Sequence, residues 1–157
     1  MRMLLIALFA LLATPAFAQS WDHYDNMRFS YGVDVPPGFA PDGEFDVGDG
    51  LSFYNPAGAK GLLVWGSAMT TDFEAEVAAA MDYASAENAW NITAQTSTPR
   101  WASFSGIKGI RILHQRMIPL CDGVSYAGLR VEYAVTDTAA MEPVVERLMR
   151  TFRANGC

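Results

Sequence analysis

The 157-residue chain carries 11 basic against 17 acidic side chains, a formal net charge of −6 with neutral histidines. An acidic balance with no basic run argues against nucleic acid and anionic membrane surfaces as partners. The length suits one domain, and the cysteine content is limited to Cys121 and Cys157.

Residues 1–18 read as an export signal. Arg2 supplies the positive start, Leu4 to Ala13 is an apolar run, and Ala16-Phe17-Ala18 is a small-x-small site, so cleavage is expected between Ala18 and Gln19. The run falls short of the ~20 apolar residues that cross a bilayer, and no later stretch reaches that length. Residues 19–157 are therefore expected to be a single exported domain without a membrane span, periplasmic or secreted, from a bacterial source. Loss of Arg2 makes this domain one unit more acidic.

Trp21 to Asp25 reads as a polar-aromatic lead-in, followed by a turn at Asn26-Met27-Arg28. Phe29, Tyr31, Val33 and Val35 then alternate with Ser30, Gly32 and Asp34, the pattern of a half-buried strand that stops at Pro36-Pro37-Gly38. Pro41 to Gly50 is an acidic, glycine-rich loop, and Leu51 to Tyr54 a strand. The apolar run Leu62 to Trp65 predicts a central strand buried on both faces. Thr71-Asp72-Phe73-Glu74 has the spacing of a capping box and predicts a helix with Phe73, Val77, Met81 and Ala84 on one stripe. Its alanine-rich opposite side suits close packing, and Asn88 is expected to stop it in a left-handed conformation.

Trp90 to Thr96 and Trp101 to Ser105 predict two further strands, and a bend flanked by Gly106 and Gly109 leads into a long hairpin reaching Val135. Asp122-Gly123 is a two-residue hairpin signal. If it sets the register, Ile112 pairs with Tyr133, His114 with Val131 and Arg116 with Leu129. Pro143 is expected at the first turn of a last helix with Val144, Val145, Leu148, Met149 and Phe152 inward, ended by Asn155-Gly156. In an exported chain, Cys121 and Cys157 favour a disulfide that staples this helix to the hairpin turn. A reactive thiol is disfavoured, because there is no C-x-x-C and no basic neighbour to lower a thiol pKa.

Hairpin turns rather than helical crossovers point to an α+β domain, an antiparallel β-sheet with helices packed on it. Tyr24-x-Asn26-x-Arg28-Phe29-x-Tyr31-x-Val33-x-Val35-Pro36, the Gly48-Asp49-Gly50 loop before an aromatic strand, and the amphipathic last helix resemble the PsbP-like fold group. That group includes extrinsic photosystem subunits and many small exported bacterial proteins. The resemblance implies a central antiparallel sheet between helices, an α/β/α sandwich, and an accessory, protein-binding role. It implies no shared catalytic motif, and nothing in the chain ties it to photosynthesis.

Few groups carry chemistry. Asp42-x-Glu44-x-Asp46 mimics the start of a calcium loop, but Val47 replaces the turn glycine and Phe53 the bidentate glutamate, so a solvated loop is expected. Gly123-Val124-Ser125-Tyr126-Ala127 lacks the last glycine of a nucleophile elbow and enters a strand. His23 and His114 lie at no zinc-ligand spacing with the cysteines. Asn91-Ile92-Thr93 fits a glycosylation sequon, read as chance in a bacterial chain. Trp65, Trp90, Trp101, Phe104 and Tyr126 are read first as core or cross-strand packing, with a binding groove as the alternative. No metal or cofactor is expected. The leading expectation is a non-enzymatic domain that binds a protein or envelope component. The alternative is a small-carboxylate binder or weak enzyme using a pocket at His114 and Arg116, where a guanidinium and aromatic walls would hold an acid.

Overall fold

The computed structural model describes residues 20–44 and 48–157, so the expected signal segment and its Ala18–Gln19 junction lie outside the described residues. Ten strands form two antiparallel sheets among these residues. The larger has the order β3-β4-β5-β9-β8-β7-β6, built from Ala40–Glu44, Gly50–Asn55, Lys60–Ala68, Ser125–Ala134, Arg111–Pro119, Trp101–Lys108 and Asn91–Thr98. The smaller, β1-β2-β10, is built from Asp22–Asn26, Tyr31–Val35 and Arg153–Ala154. Helix α1 is Phe73–Asp82 and helix α2 is Thr138–Thr151.

The domain is layered as expected of an α+β chain, with an addition. On one face of the large sheet, Val77 and Ala84 from the α1 segment pack on Ala102, Phe104, Leu113 and Met117 of β7 and β8. On the other face, Leu62, Val64, Leu129, Val131 and Tyr133 meet Tyr31, Val33 and Val35 of the small sheet and Met141, Leu148 and Phe152 of the α2 segment. Burial of such side chains contributes ~1.5–3 kcal/mol each, so this second face is the main source of stability.

Two strands of the small sheet are unexpected. The lead-in is β1, whose polar Asp22-His23-Tyr24-Asp25-Asn26 sequence hides it because it is a mostly exposed edge. The last helix ends at Thr151, not at Asn155-Gly156, and Arg153–Ala154 then pairs with β2. That helix also begins at Thr138 instead of Pro143, so the proline lies inside it, where it removes one backbone donor on the exposed side.

Other expectations are corrected locally. The acidic loop starts as β3, bulged between Pro41 and Gly43. β5 is central but not buried on both faces: Leu62 and Val64 are buried, while Leu63 and Trp65 are only half-covered. Asp72, not Thr71, caps α1, its carboxylate accepting from Ala75 N at 2.9 Å. Ala75 and Ala78 stay in solvent, and of the helix's alanines Ala80 packs on the core. Asn88 is not left-handed; its φ is −105°, its side chain donates to Tyr83 O at 3.0 Å, and the left-handed residue is Ala89, with φ 58°.

The residues behind the family resemblance meet in one place. Asn26 is buried; its Nδ2 donates to Gly48 O at 2.9 Å and to the Tyr24 hydroxyl at 3.1 Å, and its Oδ1 accepts from Phe29 N at 2.8 Å. Tyr31 donates to Asp49 O at 3.1 Å, and Arg28 pairs with the Asp49 carboxylate at 2.7 Å. Phe29 lies against Gly66, where an added Cβ would meet its ring at 2.3 Å, so only glycine leaves it room. The N-terminal hairpin is thus fastened to the loop before β4 by polar groups whose burial requires partners.

Candidate functional site

The β8–β9 register is the one read from the sequence: Ile112 opposite Tyr133, His114 opposite Val131, Arg116 opposite Leu129. The turn is not a two-residue one. Asp122 Oδ1 accepts from Val124 N and Ser125 N, so the loop runs through Cys121–Val124 while keeping the same register, and the tight Gly109-Ile110 turn joins β7 to β8 instead.

His114 lies at the base of a cleft of about 350 Å³ between β6–β8 and the start of α2, whose walls include Ile107, Ile112, Tyr133, Glu142 and Val145. Ser105, opposite His114 on β7, places its Oγ 2.7 Å from Nδ1, and the Tyr133 hydroxyl is 2.8 Å from Nε2, with the two rings stacked. A neutral imidazole donates at one nitrogen and accepts at the other, and hydroxyls can complete either arrangement. Burial pushes the His114 pKa down, which favours this neutral ring. A Ser–His relay for nucleophilic attack needs an anion to stabilise the imidazolium; here the third member is a phenol, itself pushed up by burial.

Arg116 shares the face but not the cleft. Its guanidinium stacks on Trp101, 4.4 Å from the ring centroid, and reaches Ser103 Oγ at 3.4 Å, while Nε is buried with no hydrogen bond among the described residues. The two side chains named from the sequence thus lie on one strand in separate surroundings. The aromatics also divide: Trp90 and Phe104 are core, whereas Trp65, Trp101 and Tyr126 are only partly buried.

His23, on β1, bridges two carboxylates: Nδ1 is 3.0 Å from Asp34 and Nε2 is 3.3 Å from Asp25. Asp34 also accepts from Arg147 of α2 at 2.8 and 2.9 Å, and that guanidinium covers Trp21. The Asp34 contact holds the His23 pKa above its ordinary value. Burial alone would raise the Asp34 pKa, but bonds from His23 and Arg147 outweigh it and lower it. This cluster joins the small sheet to α2.

Arg130 is a further candidate that the sequence did not single out. It stands opposite Gln115 on β8 and Leu63 on β5, on the α1 side of the sheet. Its side chain is 18% exposed, its Nε is buried without a hydrogen bond, and its nearest acid is Glu132 at 3.8 Å. An arginine in mid-strand between apolar Leu129 and Val131 was the available signal.

Cys121 and Cys157 form the expected disulfide, their Cα atoms 5.6 Å apart. Ser125 opens β9 rather than a helix, as its sequence context implied. Asp42 lies on β3 and Asp46 outside the described residues; no metal-holding group of three histidine, cysteine or acidic side chains occurs among the described residues.

No protein-family model matches the chain, and no curated protein matches it by sequence. Its fold does match solved structures. The cyanobacterial PsbP, CyanoP, from Synechocystis sp. PCC 6803 aligns with a TM-score of 0.65 at 10% identity, covering 90% of this chain and 96% of that one. The Ran-binding protein Mog1p of Saccharomyces cerevisiae aligns with a TM-score of 0.62 at 9% identity, covering 87% and 96%. The fold is PsbP-like, as the resemblance implied.

Proposed function

We propose that the chain is a non-enzymatic accessory domain, exported to the bacterial periplasm or beyond, that binds a protein of the envelope through the sheet end where the His114 cleft opens. The observation that carries this reading is an apolar rim. Ile107, 40% exposed, lines the cleft, and Ile110 at 76% and Val135 at 44% sit together at the same end, joined by Val135 N to Ile110 O. Exposed apolar residues grouped at the mouth of a cleft, unlike scattered ones, are the usual anchor of a protein contact. The satisfied, neutral His114 supports binding over catalysis. Two proteins that share the fold, a PsbP and a Ran-binding protein, lend it an accessory setting. Export is supported by the signal pattern of residues 1–18 and by the disulfide, which persists in oxidising compartments.

The test is a photo-crosslinking residue placed at Ile110, with one at exposed Ser97 on the far strand as control. A discrete adduct from position 110 alone, lost in Ile107→Asp, is the expected result. Equal adducts from both positions, or none, would overturn the docking end. Fractionation with intact-mass measurement tests export: the product should begin at Gln19, and an uncleaved cytoplasmic chain would refute it.

A further inference from the structure

Helix α1 covers only part of its face of the large sheet. Its contacts fall mainly on β6, β7 and β8, through Ile92, Ala102, Phe104, Leu113 and Met117, and reach β9 only at Tyr126. On the same face, β9 and β5 carry Tyr126, Arg130, Leu63 and Trp65, which stay partly open. Between this half and the flank of α1 lies a hollow of about 330 Å³, lined by Leu63, Trp65, Gln115, Tyr126 and Arg130 among others. Its size falls at the lower end of small-molecule sites, ~300–1,000 Å³.

Its polar groups are few and unspent. Arg130 makes no hydrogen bond among the described residues, and its one ionic neighbour is Glu132 at 3.8 Å from Nε. A guanidinium whose Nε is buried and unbonded among the described residues lacks the partner its geometry suits best, a carboxylate taken by two parallel N–H bonds. Gln115, 4% exposed and directly opposite, adds an amide that can donate and accept. Trp65 lies over bare backbone: an added Cβ on Gly128 would meet its ring at 2.2 Å, so the glycine leaves the indole room to form a flat wall. Tyr126 lines the same hollow. The acid in the lining, Glu76, is turned to Thr70, accepting from its N and Oγ1 at 2.5 and 2.6 Å.

We propose that this hollow binds a small monocarboxylate on a flat apolar body, its carboxylate on Arg130 and Gln115 and its body against Trp65 and Tyr126. The site lies across the sheet from the His114 cleft and does not depend on the protein-docking reading. One anionic charge is matched by one arginine. A dianion would meet Glu76 in the lining and find no second cation there.

The experiment is a titration of the disulfide-bonded protein with indole-3-acetate, indole-3-acetamide and N-acetylphenylalanine, read by heteronuclear NMR at the Arg130 Nε–H and Gln115 side-chain resonances. The acid is expected to bind in the ~0.1–10 mM range and the neutral amide at least about tenfold more weakly, the factor lost with one charged hydrogen bond. Arg130→Gln should remove the difference between acid and amide, and Trp65→Leu should weaken both. Preferential binding of N-acetylphenylalanine at the same resonances would identify a peptide C-terminus as the source of the carboxylate. Equal binding of acid and amide, shifts confined to other residues, or no shift by ~10 mM would overturn the proposal. Unchanged thermal unfolding of either variant keeps a folding defect from being taken for loss of the site.

Discussion

His23 and His114 sit in opposite electrostatic surroundings, and their titrations should separate. His23 gains an acidic partner in Asp34 and its folded pKa is raised above 6.5. Its contribution to stability is therefore full below 6.5 and is lost as pH rises through the raised value. Asp34 is lowered below 3.8, so its contribution is full above 3.8 and is lost as pH falls through the lowered value. The cluster is strongest between those ordinary values. His114 behaves in the reverse sense, because burial lowers its pKa: below 6.5 the unfolded chain takes a proton that the folded ring refuses, and stability falls. An NMR titration should give one histidine above 6.5 and one below. Coincident curves would refute both environments. In a variant series, His23→Gln should destabilise more at about pH 5.5 than at about pH 8.5. The pairing of His114 was legible because side-chain alternation fixes the faces, and a loop centred on Asp122-Gly123 gives the same register at two residues or four. Its hydroxyl partners were not, since Ser105 becomes a neighbour only once β7 pairs with β8.

At the scale of elements, the hairpin and the last helix meet through Cys121–Cys157, a sequence separation of 36. Reduction, or the Cys121→Ser/Cys157→Ser pair, is expected to lower stability by about 4 kcal/mol through loop entropy. For a domain of this size the fall in Tm should be on the order of 10 °C. Denaturation with and without reductant checks it, and coincident curves would mean that the bridge constrains nothing in the unfolded chain. Strands with a buried face announced themselves by alternation, as in Tyr31–Val35 and Ser125–Ala134. Those without one, β1 and the short β10, did not, because exposed edge strands carry polar sequence and their pairing comes from backbone alone. The start of α2 was misplaced for a related reason. Proline favours the first turn of a helix, yet the packing of Met141 extends this one backwards past Pro143.

For the whole molecule, the α+β class and the layering were readable from the order of elements. The second sheet was not, since it needs residues from both ends of the described chain. The core between the sheets is continuous, and Leu129, with 0% exposure, lies in it. Leu129→Ala should lower unfolding free energy by ~2–5 kcal/mol, with the spread set by how far the cavity collapses. Urea denaturation measures it, and a loss below about 1 kcal/mol would show that the two sheets are loosely packed.

β2 takes its two neighbours from opposite ends of the fold: Asp22–Asn26 on one side and Arg153–Ala154 on the other. A growing chain can pair β1 with β2 early but cannot close the far edge of β2 until the residues after α2 have been made. Topology therefore makes the small sheet close late, because its far edge depends on residues that follow α2 in the chain.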